Sequence, residues 1–400
     1  MPRLWSFLAF FVTLSLIDGA LHFYFWVRLV RDPAWPPPFD RVGTVLIVLL
    51  AVLLPLGLFA GRVLDQRYGR VVSLAAFVWM GTAFLFFAIL AFSDLIRLLS
   101  GLGAAAIAYL KSSPPAGSDV DGLMRREVMA RGIAGAATAA SGALSIVAAR
   151  SALGELSVEE VNVKLEKLPK ELDGLSIVQL TDVHVGPTIG KKFIEGMVEK
   201  ANRARPDAVV ITGDLVDGSV EELFEHVAPL SRLSARYGVY FVTGNHEYYS
   251  GATRWVEALQ RLGIRVLRNE RVTLGDSAKL ELAGVDDASA ARMGVGHGAD
   301  LKRALNGRQA EREVVLLAHQ PKAVQEASEH DVGLVLSGHT HGGQIFPWGA
   351  LVGLTQPYVV GLHRHTQSTQ IYVSKGTGYW GPPMRLLAPA EITRIVLSSG

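Results

Sequence analysis

The chain contains no cysteine among its 400 residues. This absence excludes disulfides, thiolate metal sites and cysteine nucleophiles, and it leaves the redox compartment of the protein undetermined. The chain also has little excess charge, because 39 Lys and Arg residues stand against 37 Asp and Glu residues and the basic ones form no long run. We therefore expect no nucleic-acid partner, since nucleic-acid binding depends on clustered basic side chains.

Apolar residues are abundant instead, at 50% of the chain, with a mean hydropathy of +0.28. Most of the excess lies in the first 150 residues, where residues 4–30, 42–64 and 71–92 are each long enough to cross a hydrocarbon core of about 30 Å. Residues 132–149 are a fourth candidate, rich in Gly, Ala and Ser, although this composition also suits a signal-like segment. We expect residues 1–150 to form an all-α transmembrane region of three to four spans.

The basic residues that flank four such spans predict an orientation in the cell membrane. One side would carry eight of them, namely Arg28, Arg31, Arg41, Arg97, Lys111, Arg125, Arg126 and Arg131. The other side would carry five, namely Arg3, Arg62, Arg67, Arg70 and Arg150. Because basic residues concentrate in cytoplasmic loops, the bias predicts a multi-pass protein with everything after Arg150 on the non-cytoplasmic face.

Asp18 and His22 are ionisable residues inside the first predicted span, four residues apart. Ionisable groups in the membrane are functional candidates by default. We favour mutual pairing or packing inside the helical bundle, because the other predicted spans offer no further partner.

After residue 154 the composition becomes that of a globular domain. Five short apolar runs are typical of buried strands, at residues 175–182, 207–214, 238–245, 313–319 and 332–339. Amphipathic stretches at 191–205 and 220–235 separate the first three runs and predict helices. With further strands in "TQIYVSKG" and "EITRIVLS", this alternation predicts one α/β domain over residues 155–400.

Each of the five runs ends in a group that can bind a metal ion. The groups are Asp182 with His184, Asp214, Asn245, His319, and the pair His339 and His341. Taken singly, each is weak evidence, since such residues also serve as turns, helix caps or buried hydrogen-bonded side chains. Their recurrence at five strand ends favours a metal site assembled from separate strands.

The ordered motifs "DVH", "GDLVD", "GNHE", "AHQP" and "GHTHGGQ" resemble the calcineurin-like metallophosphoesterase superfamily. The segments "GNHEYYSG", "GHTHGGQIFP" and "GTGYWGPPMR" are similar to those of its bacterial membrane-associated, phosphodiesterase-like subgroup. The resemblance covers residues 160–398. It implies a four-layer αββα sandwich, in which two sheets are flanked by helices, and two divalent metal ions close to each other.

Carried over by position, the resemblance implies a ligand set for each ion. Asp182, His184 and His341 would hold the first ion. Asn245, His319 and His339 would hold the second, and Asp214 would bridge the two. Nitrogen and oxygen ligands without thiolate admit manganese, iron, zinc or nickel, so the metal identity stays open.

The same resemblance implies a mechanism in which the paired ions activate a water as hydroxide for in-line attack on phosphorus. No protein nucleophile is then needed. His246 is the candidate to protonate or steady the leaving oxygen, and Asp217 matches the position that orients this histidine. For Asp217, a turn or capping role is the alternative.

The expected function is therefore that of a membrane-anchored phosphoesterase that cleaves a phosphoester or pyrophosphate bond. A short tether after the last span and aromatic residues near the motifs favour a phospholipid or lipid-linked sugar phosphate as substrate. These aromatics could instead be core residues: Tyr248, Tyr249, Phe346, Trp348 and Trp380. Five other histidines match no ligand position: His226, His297, His330, His363 and His365. The alternative function is a non-catalytic membrane protein that binds a phosphorylated partner.

Overall fold

The structure is a computed structural model that describes residues 2–63, 66–110, 120–276, 280–293, 296 and 298–400. The chain divides into two compact units, Met1–Ala149 and Arg150–Gly400. We call them the helical unit and the catalytic unit and describe each by itself.

Four long helices account for most of the first 153 residues. They are α1 (Pro2–Trp26), α2 (Phe39–Val63), α3 (Gln66–Leu110) and α4 (Val120–Leu153). Within the described residues, three helical stretches are long and apolar enough to cross a membrane: Phe39–Gly57, Tyr68–Ile107 and Met124–Leu153. The predicted third and fourth spans lie within the last two stretches, and the predicted second span, residues 42–64, overlaps the first. Most side chains at the start of α1 lie outside the described part of the chain, so the predicted first span, residues 4–30, is described only in part.

The two ionisable residues of α1 are paired, as the sequence suggested. His22 Nδ1 lies 3.0 Å from Asp18 Oδ1. The expectation that other spans offer no partner is wrong, because Trp79 Nε1 of α3 donates to His22 Nε2 at 3.0 Å. A tryptophan was overlooked because its apolar body suits a lipid-facing helix while its N–H group still needs an acceptor when buried. Arg28, in the helical turn Val27–Arg31 that follows α1, forms an ion pair with Asp94 of α3.

The catalytic unit contains two six-stranded sheets within the described residues. In the first sheet the order is β1 (Ser157–Leu165), β12 (Glu391–Ser399), β2 (Ser176–Leu180), β3 (Ala208–Ile211), β4 (Val239–Phe241) and β5 (Arg265–Val266). In the second it is β10 (Gly361–Arg364), β11 (Gln370–Val373), β9 (Leu334–Ser337), β8 (Glu313–Leu317), β7 (Leu280–Gly284) and β6 (Glu270–Leu274). Strands β2 to β5 run parallel, and so do β7, β8, β9 and β11.

Seven helices accompany the sheets: α5 (Lys191–Arg203), α6 (Val220–Val227), α7 (Asn245–Ser250), α8 (Ala252–Arg261), α9 (Leu301–Leu305), α10 (Ala323–Glu329) and α11 (Trp348–Val352), all within the described residues. The predicted helix at 220–235 is shorter than expected. It ends at Val227 and continues as a 3₁₀ turn over Ala228–Arg232, because Pro229 cannot donate the next α-helical hydrogen bond.

Alternate residues of the strands face opposite sides, which produces the four layers. In β3, Val210 belongs to the core between the two sheets, while Val209 packs with α5 and α8 on the outside. In β8, Val315 joins the same central core, while Val314 packs under α9 and α10. The predicted αββα architecture is therefore confirmed, with helices outside both sheets.

The five predicted strands correspond to β2, β3, β4, β8 and β9. Both sets of parallel strands bring their carboxyl ends to one edge of their sheet, so the residues that follow β2, β3, β4, β8 and β9 are available to one site. The sequence patterns predict no helix or strand for residues 246–312, where the structure has two helices followed by β5, β6, β7 and α9.

Candidate metal centre

The structure brings the predicted metal-ligand residues together at these strand ends. Asp182 and His184 follow β2, and Asp214 follows β3. Asn245 is the first residue of α7, after β4. His319 follows β8, while His339 and His341 follow β9. All seven side chains are buried or nearly so.

Asp182, His184 and His341 form one group whose potential ligand atoms lie within 4.8 Å of one another. The Nε2 atoms of His184 and His341 are 3.0 Å apart. His341 Nε2 is 3.5 Å from Asp182 Oδ1. This is the group predicted to hold the first ion.

Asp214, His319 and His339 form a second group of the same size. His319 Nε2 is 3.1 Å from Asp214 Oδ2 and 3.2 Å from His339 Nδ1. Asp214 Oδ2 also lies 3.9 Å from His184 Nε2, so this carboxylate stands between the two groups. The predicted bridging role of Asp214 is compatible with this position.

Asn245 contributes an unsatisfied oxygen. Its side chain is buried, and within the described chain Oδ1 has no hydrogen-bond partner. A buried amide oxygen without a partner costs free energy unless a cation or a water satisfies it. A cation ligand is the role that the sequence predicted for this residue.

The backbone at these residues adopts a conformation that side chains other than glycine seldom accept. The φ angles are 52° at Asp182, 55° at His184, 51° at Asp214, 69° at His339 and 52° at His341. Left-handed backbone at such residues is uncommon and clusters at functional sites, where the surrounding fold maintains it. Five of the eleven non-glycine residues with positive φ in the described chain are predicted ligands.

The donor set fits divalent cations in chemistry and spacing. Carboxylate, amide and imidazole groups are ligands for several divalent metals. With metal–ligand bonds of about 2.1 Å, two ligands at right angles on one ion lie about 3 Å apart. The separations of 3.0 to 3.5 Å within the two groups agree with this value.

A third group, formed by His184, Asp217 and His246, is better explained by hydrogen bonds. His246 Nδ1 donates to Asp217 Oδ1 at 2.6 Å, a distance too short for two ligands that share a cation. His184 Nδ1 donates to the same oxygen at 3.1 Å. Asp217 thus contacts the predicted proton donor and also fixes the ring of a predicted ligand, leaving His184 Nε2 to face the centre.

Charge and burial set the protonation of these groups. Burial raises the pKa of Asp214, but His319, His246 and His184 together outweigh burial and hold that pKa well below its usual range. Asp214 in turn raises the pKa of His319 well above its ordinary value in spite of burial. Burial, followed by repulsion from His319, lowers the pKa of His339 to about 3. The centre therefore favours an ionised Asp214 and a neutral His339, the states in which these residues bind metal, whereas a metal ion at His319 would have to displace the proton from that ring.

Glu247 is a residue of the site for which the sequence analysis predicts no role. Its buried carboxylate accepts from the backbone N–H groups of Gly244 at 2.6 Å, Asp214 at 3.0 Å and Leu215 at 2.8 Å. These bonds hold the loop after β3 against the start of α7. Burial raises the pKa of Glu247 to about 7. Its place inside the "GNHE" motif was the available signal.

Arg385 is the second residue that the sequence did not single out, although it lies in the quoted segment "GTGYWGPPMR". Its side chain is fully buried. It donates to the carbonyl groups of Gly378, Lys375 and Ala388 at 2.8 to 2.9 Å, and Nη2 lies 3.2 Å from His341 Nδ1. Gly378 N in turn donates to the carbonyl of Asp182. Arg385 therefore connects the loops that carry Asp182 and His341.

The aromatic residues near the motifs are mostly not core residues. Tyr248 is buried, while Tyr249, Phe346, Trp348 and Trp380 are exposed. The rings of Tyr249 and Trp380 lie 5.2 and 5.7 Å from the ring of His246. His363 and His365 instead contact Tyr358, and His297 lies outside the described residues.

Two buried sets of metal-ligand groups at the strand ends of an αββα sandwich define a metallophosphoesterase. Residues 175–343 match the family model described as calcineurin-like phosphoesterase. A transmembrane protein with metallophosphoesterase domain from Danio rerio is 36% identical, over 97% of this chain and 88% of that protein. The chain belongs to the calcineurin-like metallophosphoesterases and is a metal-dependent phosphoric ester hydrolase.

Two further relatives match a smaller share of the chain. A transmembrane protein with metallophosphoesterase domain from Bos taurus is 42% identical over 64% of this chain and 60% of its own length. An uncharacterized metallophosphoesterase from Helicobacter pylori is 45% identical over 61% of this chain and 65% of its own length. The match thus spans less than two thirds of these two proteins. The relatives' names and the three apolar stretches fit a membrane location.

Proposed function

We propose that the chain is a membrane-anchored phosphoesterase with two divalent metal ions, which hydrolyses a phosphoester or pyrophosphate bond of an amphiphilic substrate. The observation that supports it best is the pair of buried donor groups with Asp214 between them. Asp182, His184 and His341 would hold one ion, and Asn245, His319 and His339 the other. When bound, such ions supply an activated water and neutralise the phosphoryl oxygens.

The residues of the chain have distinct tasks in this proposal. His319 Nδ1 donates to the carbonyl of Thr212 at 2.8 Å, which leaves Nε2 free to face Asp214 and the centre. His246 Nε2 lies 3.9 Å from Asp214 Oδ2, beside the centre, where it can give a proton to the leaving oxygen. Asp217 accepts from His246 Nδ1, so the opposite ring nitrogen is the one presented to substrate.

We propose a phospholipid or a lipid-linked sugar phosphate as the substrate class. The exposed rings of Tyr249 and Trp380 beside His246 support this class, because they offer apolar contact next to a charged centre. The connection between α4 and β1 supports it too, since α4 ends at Leu153 and β1 begins at Ser157. A link this short keeps the catalytic unit near the lipid headgroups.

We also propose that the catalytic unit lies on the non-cytoplasmic face, as the bias of Arg and Lys residues predicts. Fusions at residue 154 to one reporter that is active only outside the cytoplasm and to one that is active only inside give opposite results. Activity of the cytoplasmic reporter would reverse the orientation and leave the chemistry unchanged.

The test of the proposed chemistry begins with metal content. We expect elemental analysis of the full chain, purified in detergent and loaded with manganese or zinc, to find two ions per chain. At most one ion per folded chain would contradict the paired centre. Apo protein prepared with a chelator should lose hydrolysis of bis-nitrophenyl phosphate and regain it when the metal is restored.

The substrate class requires a comparison of substrates. The loaded full chain is assayed against bis-nitrophenyl phosphate, nucleotides, phospholipids and a UDP-linked acyl sugar. We expect turnover to rise when an acyl chain is present. Equal turnover of soluble nucleotides, with no gain from an acyl chain, would refute the lipid substrate while leaving the two-metal chemistry intact.

A further inference from the structure

A group of large apolar side chains is exposed next to the proposed centre. We call it the apolar rim and define it as Phe346, Leu351, Leu354, Trp380 and Leu387. Phe346 is 60% exposed, Leu354 81%, Trp380 54% and Leu387 80%. Single exposed apolar residues are ordinary, but a contiguous group of them marks an interaction surface.

Backbone contacts join the segments that carry the apolar rim. Phe346 N donates to the carbonyl of Leu386 at 3.2 Å, and Leu386 N donates to the carbonyl of Gln344 at 2.8 Å. The side-chain amide of Gln344 bonds the backbone of Trp380 in both directions, at 2.9 Å each. Phe346, Trp380 and Leu387 are thereby held on adjoining segments.

Helix α11 extends this surface. It starts two residues after Phe346 and contains no buried residue. Leu351 lies within it, and Leu354 N donates to the carbonyl of Leu351 just after it ends. At the opposite end of the rim, the ring of Trp380 lies 5.7 Å from that of His246. The apolar rim therefore runs from the proposed proton donor outward to α11, a helix none of whose residues is buried.

These segments carry almost no charge. No Asp, Glu, Lys or Arg occurs between Asp331 and Arg364. Between Lys375 and Glu391 the one charged residue is Arg385, which is fully buried. Surfaces that bind other proteins surround their apolar centre with polar residues, including arginine. A surface of Trp, Phe and Leu without charged neighbours in sequence is instead complementary to the uncharged boundary between lipid headgroups and acyl chains.

We propose that the apolar rim inserts into the surface layer of a lipid bilayer and so presents the metal centre to phosphate groups at that surface. The bilayer is the occupant that the chain itself supplies, because the apolar stretch Met124–Leu153 leads into β1 after three residues. The inference rests on the proposed function, because docking would bring the centre to the phosphate of a lipid that stays in the membrane. It adds the residues that select such a substrate.

The absence of cysteine makes the location of the rim directly measurable. Single substitutions Phe346→Cys and Leu354→Cys in the full chain, reconstituted in phosphatidylcholine and phosphatidylglycerol vesicles, accept an environment-sensitive dye at one known position. Gln260→Cys on α8 and Gln325→Cys on α10 are matched controls, because both are exposed polar residues on the outer helices. We expect quenching by a lipid-borne nitroxide at the rim positions and only by aqueous iodide at the control positions.

Equal access to iodide at all four positions would overturn the proposal. A rim dye that is shielded from iodide but not quenched from the lipid would also overturn it, in favour of a second copy of the chain or another protein as the occupant. Because the dye reports location and not catalysis, these results stand apart from the success or failure of the proposed function.

A pair of variants connects docking to specificity. Leu354→Asp and Leu387→Asp place charge at exposed positions, so folding and metal content should be unchanged. Combined, they should reduce hydrolysis of a vesicle-borne substrate by about tenfold, since charged groups resist transfer into the bilayer surface. Hydrolysis of bis-nitrophenyl phosphate should be unaffected. An equal loss of activity on both substrates would mean that the rim residues support the metal centre itself, and it would refute docking.

Discussion

In the helical unit, Val, Leu and Phe side chains cover the outside of α2 and α3, while polar partners such as His22 and Trp79 meet between helices. In the catalytic unit the apolar residues fill three layers of core, and polar groups collect at the strand ends. The two regions differ because their solvents differ: lipid accepts apolar surface, and water does not. In both regions, however, buried polar pairs such as His22 with Trp79 and His341 with Arg385 join elements that are distant in sequence.

The polar contacts of the two units should therefore govern different properties of the protein. Those of the catalytic unit should govern metal binding and rate, whereas those of the helical unit should contribute only to the stability of the bundle. The apolar rim is the place where the catalytic unit has a surface like that of the helical unit. Four substitutions test this division.

The largest effect is expected from Asp214→Ala. Asp214 stands between the two donor groups, so its removal should release both ions and reduce hydrolysis to the uncatalysed background. Elemental analysis and assay of the full chain measure both losses. Asp276→Ala, at an exposed residue that pairs with Arg236, is the control and should behave as the parent. If Asp214→Ala retained two ions, the shared ligand would have to be another residue.

His246→Ala should keep both ions and lose rate by ~10²-fold or more on a substrate with a poor leaving group, because the proton donor is gone. Nitrophenolate leaves without such help, so nitrophenyl esters should suffer less. An identical loss on both substrates would reassign His246 to positioning of the phosphoryl group. Unlike His246→Ala, Asp217→Asn should weaken metal binding in addition to lowering the rate, since Asp217 also fixes the ring of His184.

Arg385→Met should lower the affinity for one of the two ions by about 10- to 100-fold, as loss of a residue that orients a ligand commonly does. The affected ion should be the one held by Asp182, His184 and His341, because Arg385 connects their loops. Manganese titration followed by electron paramagnetic resonance separates single from paired ions. Arg385→Lys should restore part of the affinity, and Arg394→Met, at a more exposed arginine, should have no effect. An equal loss of affinity for both ions would indicate general unfolding of the site.

The smallest effect is expected in the helical unit. Trp79→Phe removes the hydrogen bond to His22 and should destabilise the bundle by about 0.6 kcal/mol, a typical value for interhelical bonds in membranes. Unfolding of the full chain in mixed detergent micelles measures it. Trp26→Phe, which loses a bond to Thr44, should give a loss of similar size. If Trp79→Phe lowered phosphoesterase activity of folded protein, the division between the units would be wrong.

The positions of the candidate ligands could be predicted because they follow from local patterns. A buried strand is visible as a short apolar run, and the residue after it lies at the active edge whatever the strand order. Asp182, Asp214 and His319 therefore needed no three-dimensional information. The same runs predicted an α/β domain, and the resemblance of the motifs implied its αββα arrangement.

Glu247 and Arg385 could not be assigned roles in this way, because their partners are backbone atoms. Glu247 accepts from three N–H groups and Arg385 donates to carbonyls, and no residue type in the sequence signals such an acceptor or donor. The short strands β5 and β6 were missed for a related reason. Their pairing depends on neighbours that the fold supplies rather than on a strong apolar run of their own.

The position of β12 has a consequence for how the protein is made. This strand, Glu391–Ser399, pairs on one side with β1 in parallel and on the other with β2, so it lies inside the first sheet. A ribosome that has produced every loop with a candidate ligand, through His341, has not yet produced this inner strand. Until residue 399 emerges, β1 and β2 have no common neighbour, and the loop that carries Asp182 extends from a strand with an open edge. The first sheet is therefore completed only after every other strand of the catalytic unit has been made, and until then the open edge of β2 can pair with other chains.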